Sequence, residues 1–358
     1  MPSAFRVRGP VLPDGESRDI YVVDGHITYE PQAGAETVIE GWILPGLVDA
    51  HNHLGMVDGG PLDAAGTEAQ AIADRDTGVL LTRDCGSPAD TAWVQHRDDL
   101  PRLVRCGQHI ARTKRYLRIG VEVEPDGLSA AVAEQAHRGD GWVKLVGDWI
   151  DREVGDLTPS FPADAFAEAI ATAHAHGAKV TAHCFGSDSV GPLLEAGIDC
   201  IEHGTGLSEE HLDVMAQRGV ALVPTVLQTA KFPEFSEAGR DKFPTYAATM
   251  DRLYARRREV LLQAHEAGVR LFIGSDGGGT ARHGYLFEEI AAMVDLGLPV
   301  ADVIANATWG GRDWLGFDSG LGEGDEADFV VYPRNPLDDL SVLATPSLIV
   351  LRGRITGR

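Results

Sequence analysis

Residues 42–53 read Trp-Ile-Leu-Pro-Gly-Leu-Val-Asp-Ala-His-Asn-His, an apolar run that ends in two histidines separated by one residue. Such a run predicts a β-strand, because large and β-branched apolar side chains favour strands. Two residues apart at the end of a strand, His51 and His53 point to the same side, so both can bind one metal ion. His174 and His176 fall in a predicted helix instead, where this spacing separates side chains by roughly 200° around the axis.

A short apolar run followed by an Ala-, Glu- and Leu-rich stretch recurs along the chain. This alternation is typical of repeated β-α units around a parallel sheet. The eight strands that we predict are Trp42–Val48, Val79–Arg83, Leu103–Cys106, Trp142–Val146, Lys179–Ala182, Cys200–Glu202, Ala221–Thr225 and Arg270–Gly274. Helices fit between most of them, one starting near Pro162 and ending at Gly177, another over Leu253–Ala267. The pattern predicts an α/β fold with a (β/α)8 TIM barrel, whose active site lies at the carboxyl ends of the strands.

The two ends of the chain have a different pattern. Strand-like pieces occur near both ends, at 19–23, 26–29, 328–332 and 348–351. We predict that 1–41 and 320–358 form one small composite β domain, and that 42–319 form the barrel. The segment 228–250 is the least regular part of the barrel region, and it is expected either to cover the mouth as a lid or to be a plain surface excursion.

Composition and charge exclude several classes of protein. Hydrophobic residues make up 44% and charged residues 24% of the chain, which excludes collagen and intrinsic disorder. With a net charge of −23, the chain is a poor candidate for binding nucleic acid or an anionic membrane. The sequence shows no secretory signal, no membrane helix and no CxxC pair, so we expect a reduced, cytoplasmic protein. The sequence leaves the oligomeric state open, and a homo-oligomer is compatible with it.

Three further residues at predicted strand ends are candidate metal ligands. His183 closes KVTAH, His203 closes CIEH and Asp276 closes LFIGSD, so each would share the barrel mouth with His51 and His53. Imidazole nitrogens and carboxylate oxygens are ordinary zinc ligands, and an aspartate beside the site can also accept a proton. Hydrogen-bonded structural roles, such as a helix cap at Asp276, are the alternative.

Lys144 lies inside the apolar strand GWVKLVGD at 141–148. An unpaired ammonium that points into a barrel would cost several kcal/mol, so this lysine must be neutral, paired or chemically altered. A neutral lysine can react with CO2 to give a carbamate, which has two oxygens and could bridge two metal ions. A salt bridge to Asp148 or to another carboxylate at the mouth is the alternative.

These residues, in this order, resemble the amidohydrolase superfamily. LPGLVDAHNH at 44–53 is similar to its strand-one metal motif, and GSD at 274–276 to its strand-eight aspartate. Lys144 resembles the carboxylated lysine of strand four, and His183 and His203 resemble the ligands of strands five and six. The resemblance covers nearly the whole chain and implies the barrel with its small β domain.

The resemblance implies a metal-dependent hydrolase that cleaves an amide, cyclic amide or dipeptide bond of a small molecule. It implies two divalent metal ions, for which zinc is the first candidate. One ion would be held by His51, His53 and Asp276, and the other by His183 and His203. A CO2-derived carbamate on Lys144 and a hydroxide would bridge the ions, and Asp276 would act as general base and then as general acid.

Within the superfamily, the sequence is most similar to the branch of imidazolonepropionase-like proteins and metal-dependent Xaa-Pro dipeptidases. This similarity rests on the context of Lys144 and on GSDGGG at 274–279, followed by HGYLFEEIAAMVDLGLP at 283–299. One departure is visible. The dipeptidases often carry Gly-Gly-His-Gly after strand three, where this sequence reads CGQHIARTKRYLRIG at 106–120.

Other interpretations of the same residues stay open. A mononuclear deaminase or imidazolonepropionase-like hydrolase would use His51, His53, His183 and Asp276, with Lys144 uncarboxylated. A lactonase or esterase could use the same hydroxide. Candidate substrate contacts are His283, His109 and Tyr285, and the substrate itself depends on the mouth loops 55–75, 112–122 and 228–250.

Overall fold

The chain folds into parallel and antiparallel β-sheets with helices packed against them. The computed structural model describes residues 4–58, 60–318 and 320–357, so residues 1–3 and 358 of the predicted end domain lie outside the described residues. The strands are β1 Ala4–Val11, β2 Glu16–Val23, β3 His26–Thr28, β4 Glu36–Glu40, β5 Trp42–Pro45, β6 Leu47–Asn52, β7 Met56–Val57, β8 Gly60–Pro61, β9 Val79–Asp84, β10 Arg102–Arg105, β11 Ile110–Arg112, β12 Val121–Val123, β13 Trp142–Val146, β14 Asp148–Asp151, β15 Asp156–Pro159, β16 Lys179–Cys184, β17 Cys200–His203, β18 Ala221–Val223, β19 Arg270–Leu271, β20 Phe329–Tyr332, β21 Leu348–Leu351 and β22 Arg354–Gly357. The helices are α1 Ala64–Asp76, α2 Leu128–Arg138, α3 Ala163–Ala175, α4 Val190–Glu195, α5 Glu209–Arg218, α6 Val226–Thr229, α7 Phe232–Gly239, α8 Pro244–Glu266, α9 Leu286–Asp295, α10 Val300–Ala307 and α11 Trp309–Trp314.

The α/β part of the molecule is built from parallel strands. One sheet has the order β10-β9-β6, and a second has the order β12-β11-β13-β16-β17-β18-β19, with every pair parallel. Backbone hydrogen bonds join β6 to the segment after β19, from Ala50 N to Ile273 O and from Asp276 N to His51 O, both at 2.7 Å. The carboxyl ends of β6, β16 and β17 therefore meet beside residues 273–277.

The predicted strand Trp42–Val48 is wrong as a single strand. The chain leaves one sheet and enters another at Gly46: β5 pairs antiparallel with β20, whereas β6 pairs parallel with β9. Pro45 has no N–H to continue a ladder, and a Cβ at Gly46 would lie 2.5 Å from the Leu80 side chain, so only glycine fits this crossing. Trp42–Pro45 thus belongs to the sheet formed by the chain ends.

Both chain ends contribute to one eight-stranded sheet, with the order β22-β21-β20-β5-β1-β2-β3 and β4 paired to β1. Its buried face has its own apolar cluster, which includes Val7, Ile20, Ile43, Phe329 and Val350. The period-two burial of β1 explains this cluster, because alternate side chains of a strand point to the same face.

The segment 228–250 is more regular than its sequence indicates. It contains α7 and the first two turns of α8, each with a proline in its first turn, where the missing N–H costs nothing. The predicted helix Leu253–Ala267 is therefore the second half of a longer helix. By contrast, α3 begins directly after Pro162 and ends before Gly177, as its sequence predicts.

The interior of the parallel sheets holds a separate cluster of buried side chains, including Val48, Leu81, Trp142, Val223 and Trp314. The four cysteines are buried and free. None of the described helices combines the length and the apolar character needed to span a bilayer.

Candidate metal centre

Four of the six predicted ligands line one cavity of about 470 Å³ at the carboxyl ends of the strands. They are His53, His183, His203 and Asp276. His51 lies just below them and is almost fully buried. The two His-x-His residues, the two single histidines and the aspartate therefore come from distant parts of the chain to one place.

Three of these side chains stand at the spacing of ligands around one cation. His51 Nε2 and His53 Nε2 are 3.3 Å apart, and they lie 3.1 and 3.2 Å from the same oxygen, Asp276 Oδ1. Atoms that are each about 2.0–2.1 Å from a tetrahedral zinc ion are about 3.3–3.4 Å from one another. His203 also offers an atom within 4.8 Å of ligand atoms of His51 and Asp276. The donor set fits a divalent cation.

The remaining ring nitrogens are held by neighbouring groups. His51 Nδ1 donates to Glu202 Oε2 at 2.6 Å, and His53 Nδ1 donates to the carbonyl of Gly86 at 2.9 Å. His203 Nδ1 lies 2.6 Å from Thr225 Oγ1. Partners of this kind fix the tautomer of a metal-binding histidine and leave Nε2 free to bind.

His183 lies beside this group, with its ring 4.6 Å from the ring of His203. Its Nε2 is buried and has no hydrogen-bond partner among the described residues. Buried polar atoms normally have a partner, so an unpaired nitrogen next to four other ligand-type groups fits a site that takes a cation.

The protonation states of His183, His203 and Asp276 also fit metal binding. Burial lowers the pKa of His183 well below its ordinary value and that of His203 to about 3, so both rings are neutral. Burial alone would raise the pKa of Asp276, but the charge and hydrogen bond of His51 and the hydrogen bond of His53 outweigh burial and lower it. Neutral imidazole and ionised carboxylate are the forms that bind metal ions.

Two of the candidate ligands occupy strained backbone conformations. His203 has φ +67° and Asp276 has φ +53°, both in the left-handed region that costs a non-glycine residue about 1–2 kcal/mol. Both residues turn the chain sharply at a strand end. Strain of this kind is concentrated at functional sites, where the surrounding structure holds it in place.

Lys144 is 3% exposed in the middle of β13 and makes no ion pair among the described residues. A salt bridge from Lys144 to Asp148 is not found among the described residues, where that carboxylate accepts hydrogen bonds from Phe185 N, Gly186 N and Ser189 Oγ at 2.9–3.0 Å. After burial, the charge of Lys144 is among the interactions that lower the pKa of His183. Lys144 therefore lies near the ligand cluster and has no ion-pair partner among the described residues.

A buried ion pair that was not predicted from the sequence lies below the site. Arg83 is fully buried, donates to Glu202 Oε1 at 2.6 Å and lies over the rings of Trp142 and Trp314, at 4.6 and 4.8 Å from their centroids. Burial would raise the pKa of Glu202, but the charges of Arg83 and His51 outweigh it and hold that pKa well below its usual range. The sequence contained a signal for this pair, because Arg83 and Glu202 are charged residues inside apolar strands, as Lys144 is.

We predict that Glu202→Gln weakens zinc binding about 10–100-fold, the usual effect of losing a partner of a metal-binding histidine. The amide cannot neutralise Arg83, so the melting temperature should also fall. Zinc affinity and thermal melting measure the two effects separately, and Glu195→Gln on the exposed end of α4 is the control. A lower melting temperature with unchanged zinc affinity would show that Glu202 has only a structural role.

The glycines after Asp276 allow the backbone to approach His53. Gly278 has φ +108°, and a Cβ there would lie 2.6 Å from His53 O, whereas a Cβ at Gly279 would meet only Met56 Cε, at 3.5 Å. We predict that Gly278→Ala lowers kcat/KM about 100-fold by displacing His53, because small misplacements at a site are costly. Gly279→Ala is the matched control, and its kcat/KM should stay within about threefold of the wild-type value. Equal kcat/KM values for the two variants would contradict the prediction.

The candidate substrate contacts separate into two groups. His109 lines the cavity, and neither of its ring nitrogens has a hydrogen-bond partner among the described residues. Burial, followed by the charge of His53, lowers the pKa of His109 to about 3, so it is neutral. His283 and Tyr285 do not line the cavity: His283 Nδ1 donates to Asp74 at 2.8 Å, and the Tyr285 hydroxyl donates to Ser275 O.

All three predicted mouth loops supply lining residues. The loop 55–75 supplies Met56, Val57 and Asp58, and the loop 112–122 supplies Tyr116, Leu117, Arg118 and Ile119. The segment 228–250 supplies Gln228, Phe235 and Tyr246. The cavity above the ligands is therefore lined by loops whose sequences do not indicate which substrate they bind.

Comparison with known sequences gives a family and relatives of high identity. The profile of the amidohydrolase family matches residues 42–356. An uncharacterized protein of Mycobacterium tuberculosis is 49% identical over 99% of this chain and 96% of its own length.

Comparison with solved structures gives the same architecture. A Xaa-Pro dipeptidase with methionine bound in its active site matches with a TM-score of 0.84 and 21% identity, over 99% of both chains. The ochratoxinase of Aspergillus niger matches with a TM-score of 0.80 and 18% identity, over 99% of this chain and 96% of the other. At this level of identity the similarity shows the fold, a TIM-barrel-like α/β fold with an extra domain.

Proposed function

Because this chain belongs to the amidohydrolase family, it is a hydrolase of carbon–nitrogen bonds, and we propose that it is a metal-dependent enzyme that cleaves an amide, cyclic amide or dipeptide bond of a small molecule. The observation that carries this proposal is the meeting of His51, His53 and Asp276 at 3.1–3.3 Å on the floor of a cavity. Both Nδ1 atoms already have other hydrogen-bond partners, and the spacing of the Nε2 atoms and Asp276 Oδ1 fits a shared cation.

The finer architecture belongs to the same proposal. We infer a closed (β/α)8 barrel for 42–319 and a small β domain formed by 1–41 and 320–358. The hydrogen bonds between β6 and the segment after β19, and that from Asp140 N to Arg105 O at 2.8 Å, support closure of the barrel. The sheet of the chain ends supports the small domain, although Trp42–Pro45 extends it past the proposed boundary.

We assign two divalent ions to the ligand cluster, with zinc as the first candidate. His51, His53 and Asp276 would hold one ion, and His183 and His203 the other. When bound, such ions supply a hydroxide near neutral pH and polarise the substrate carbonyl. The neutral state of His183 and His203 and the ionised state of Asp276 support this assignment.

Asp276 would move the proton. Its Oδ1 faces His51 and His53, which leaves Oδ2 to accept a proton and return it to the leaving nitrogen of the substrate. Its side chain is 12% exposed, and Asp276 lines the cavity, so a substrate can reach it. One carboxylate can thus act first as general base and then as general acid.

Lys144 would bridge the ions as a carbamate. The ammonium first loses one proton to give the neutral amine, whose nitrogen lone pair then adds to CO2 with release of a second proton. The product is an anion with two oxygens in place of a buried cation. The absence of an ion pair at Lys144 among the described residues supports this change, because an unpaired ammonium facing cation ligands is unfavourable.

Removal of the metal tests the proposal. We predict that treatment with a chelator lowers the hydrolysis of a responsive amide at least about 100-fold, and that zinc with bicarbonate restores it. A screen of amide, dipeptide, cyclic amide and lactone libraries identifies the responsive compound. Full activity after complete removal of the metal would contradict the proposed function.

A further inference from the structure

Five aromatic side chains cover one side of the cavity, and we call them the aromatic wall. They are Tyr116, Trp149, Phe185, Phe235 and Tyr246. Phe, Trp and Tyr make up only 7% of the chain, so five at one cavity is a strong local concentration. The wall stands on the side of His183, whose ring is 4.2 Å from that of Phe185 and 5.4 Å from that of Trp149.

The rings of the wall leave surface free for a ligand. All five rings line the cavity; Phe185 is almost fully buried, whereas the other four keep part of their surface exposed. Tyr116 meets Trp149 edge to face, with the ring centroids 4.7 Å apart at 76°. Core packing alone would bury such rings completely, so their remaining surface points to a bound apolar group.

The wall is also held in place before any ligand binds. Trp149 lies on the β14–β15 hairpin, which directly follows the strand of Lys144, and Tyr246 lies on α8. Tyr246 N donates to Gly155 O at 3.1 Å, and Thr249 Oγ1 donates to Asp156 at 3.0 Å. The hairpin and the helix thus fix one another, and a preformed surface binds a ring at a lower entropic cost.

We propose that the substrate is an amide that carries an aromatic ring within one or two bonds of the scissile bond, and that this ring binds the aromatic wall. The inference rests on the proposed function and names its substrate class. A cavity of about 470 Å³ has room for such a compound, because pockets for ligands of this size span about 300–1,000 Å³. Gly278 and Gly279 also line the cavity, and neither carries a side chain that could contact the rest of the substrate.

Matched pairs of substrates test the proposal on the metal-loaded enzyme. One pair is a benzylamide and the corresponding cyclohexylmethylamide, and the other is a phenylacetyl and a cyclohexylacetyl amide. A methylene separates ring and amide in each, so the intrinsic reactivities match. We expect kcat/KM to favour the aromatic member of at least one pair about tenfold, the effect of one or two edge-to-face contacts.

Variants locate the preference in the wall. Trp149→Ala should lower the ratio of kcat/KM between the aromatic and the cyclohexyl substrate to less than about two. Tyr254→Ala should leave this ratio unchanged, because Tyr254 packs in the same cluster but does not line the cavity. Phe235→Leu, on α7, replaces Trp149→Ala if that variant does not fold. A ratio near one in both pairs, or a ratio that survives loss of the wall residue, would overturn the proposal.

Binding separates failure of this inference from failure of the proposed function. If the enzyme hydrolyses none of the four amides, isothermal titration of the same compounds into the metal-loaded protein measures the ring preference directly. A Kd about tenfold lower for an aromatic member would support the preference for an aromatic ring. The failure would then concern only the proposed hydrolysis of these amides. Equal Kd values within each pair would overturn the substrate class.

Discussion

Replacing Asp276 with asparagine should lower kcat by roughly 10²–10⁴-fold, the usual contribution of a general acid–base group. Asparagine keeps the shape of the side chain and an oxygen that faces His51 and His53, but it cannot accept the proton that the reaction must move. Turnover of the responsive amide, thermal melting and metal content should be measured together. We expect the fold to stay intact, because Asp276 lies at the cavity and outside the apolar core.

Asp58→Asn is the matched control for this prediction. Asp58 lines the same cavity, but the structure gives it no contact with the ligand cluster. Its variant should therefore keep turnover within about threefold of wild type. Near-normal turnover of Asp276→Asn would rule out Asp276 as the proton carrier, and an equal loss in both variants would indicate a general effect of charge at the mouth.

Replacing Lys144 with alanine should remove at least about 99% of the activity, because the bridging carboxylate that orders the two ions would be lost. Glutamine or methionine at this position would fill the space without supplying the anion, so either should be equally inactive. Metal-depleted wild type should regain activity faster with zinc and bicarbonate than with zinc alone, whereas bicarbonate should make no difference to the alanine variant.

Lys179→Ala is the control for the lysine variants. Lys179 lies on the neighbouring strand β16 but is exposed at its amino end, away from the cavity. Its loss should change kcat/KM by less than about twofold. Activity of Lys144→Ala close to that of Lys179→Ala would exclude the carbamate bridge and favour a mononuclear site.

Strand ends were the most predictable feature of this molecule. A parallel α/β arrangement places the carboxyl ends of its strands together, so a histidine or aspartate at a strand end can be assigned to the mouth from sequence alone. His51, His53, His183, His203 and Asp276 all follow this rule, and the structure brings all five together. Periodicity also located α3 and most of the parallel strands.

Features that depend on contacts between distant segments could not be predicted. The division of Trp42–Val48 into two strands depends on how closely Gly46 packs against Leu80. The pairing of Arg83 with Glu202 depends on the register of β9 and β17 across the interior. Sequence periodicity describes one element at a time, so it carries no information on such pairings.

The aromatic wall was unpredictable for the same reason. Its rings come from the loop between β11 and β12, the β14–β15 hairpin, the residue after β16 and the adjacent helices α7 and α8. His283 follows the glycine run after Asp276 and was predicted to contact the substrate, but it does not line the cavity, and its Nδ1 donates to Asp74 on α1. Sequence distance is a poor guide to contacts within a barrel mouth.

The metal content of the purified protein, measured by elemental mass spectrometry on wild type and on Lys144→Ala, tests the binuclear centre most directly. We predict about two transition-metal ions per chain in wild type and one or fewer in the variant. About one ion in both proteins would contradict the bridged centre and favour a mononuclear deaminase or cyclic-amide hydrolase. A protein that contains no metal and takes none up would contradict metal-dependent hydrolysis altogether.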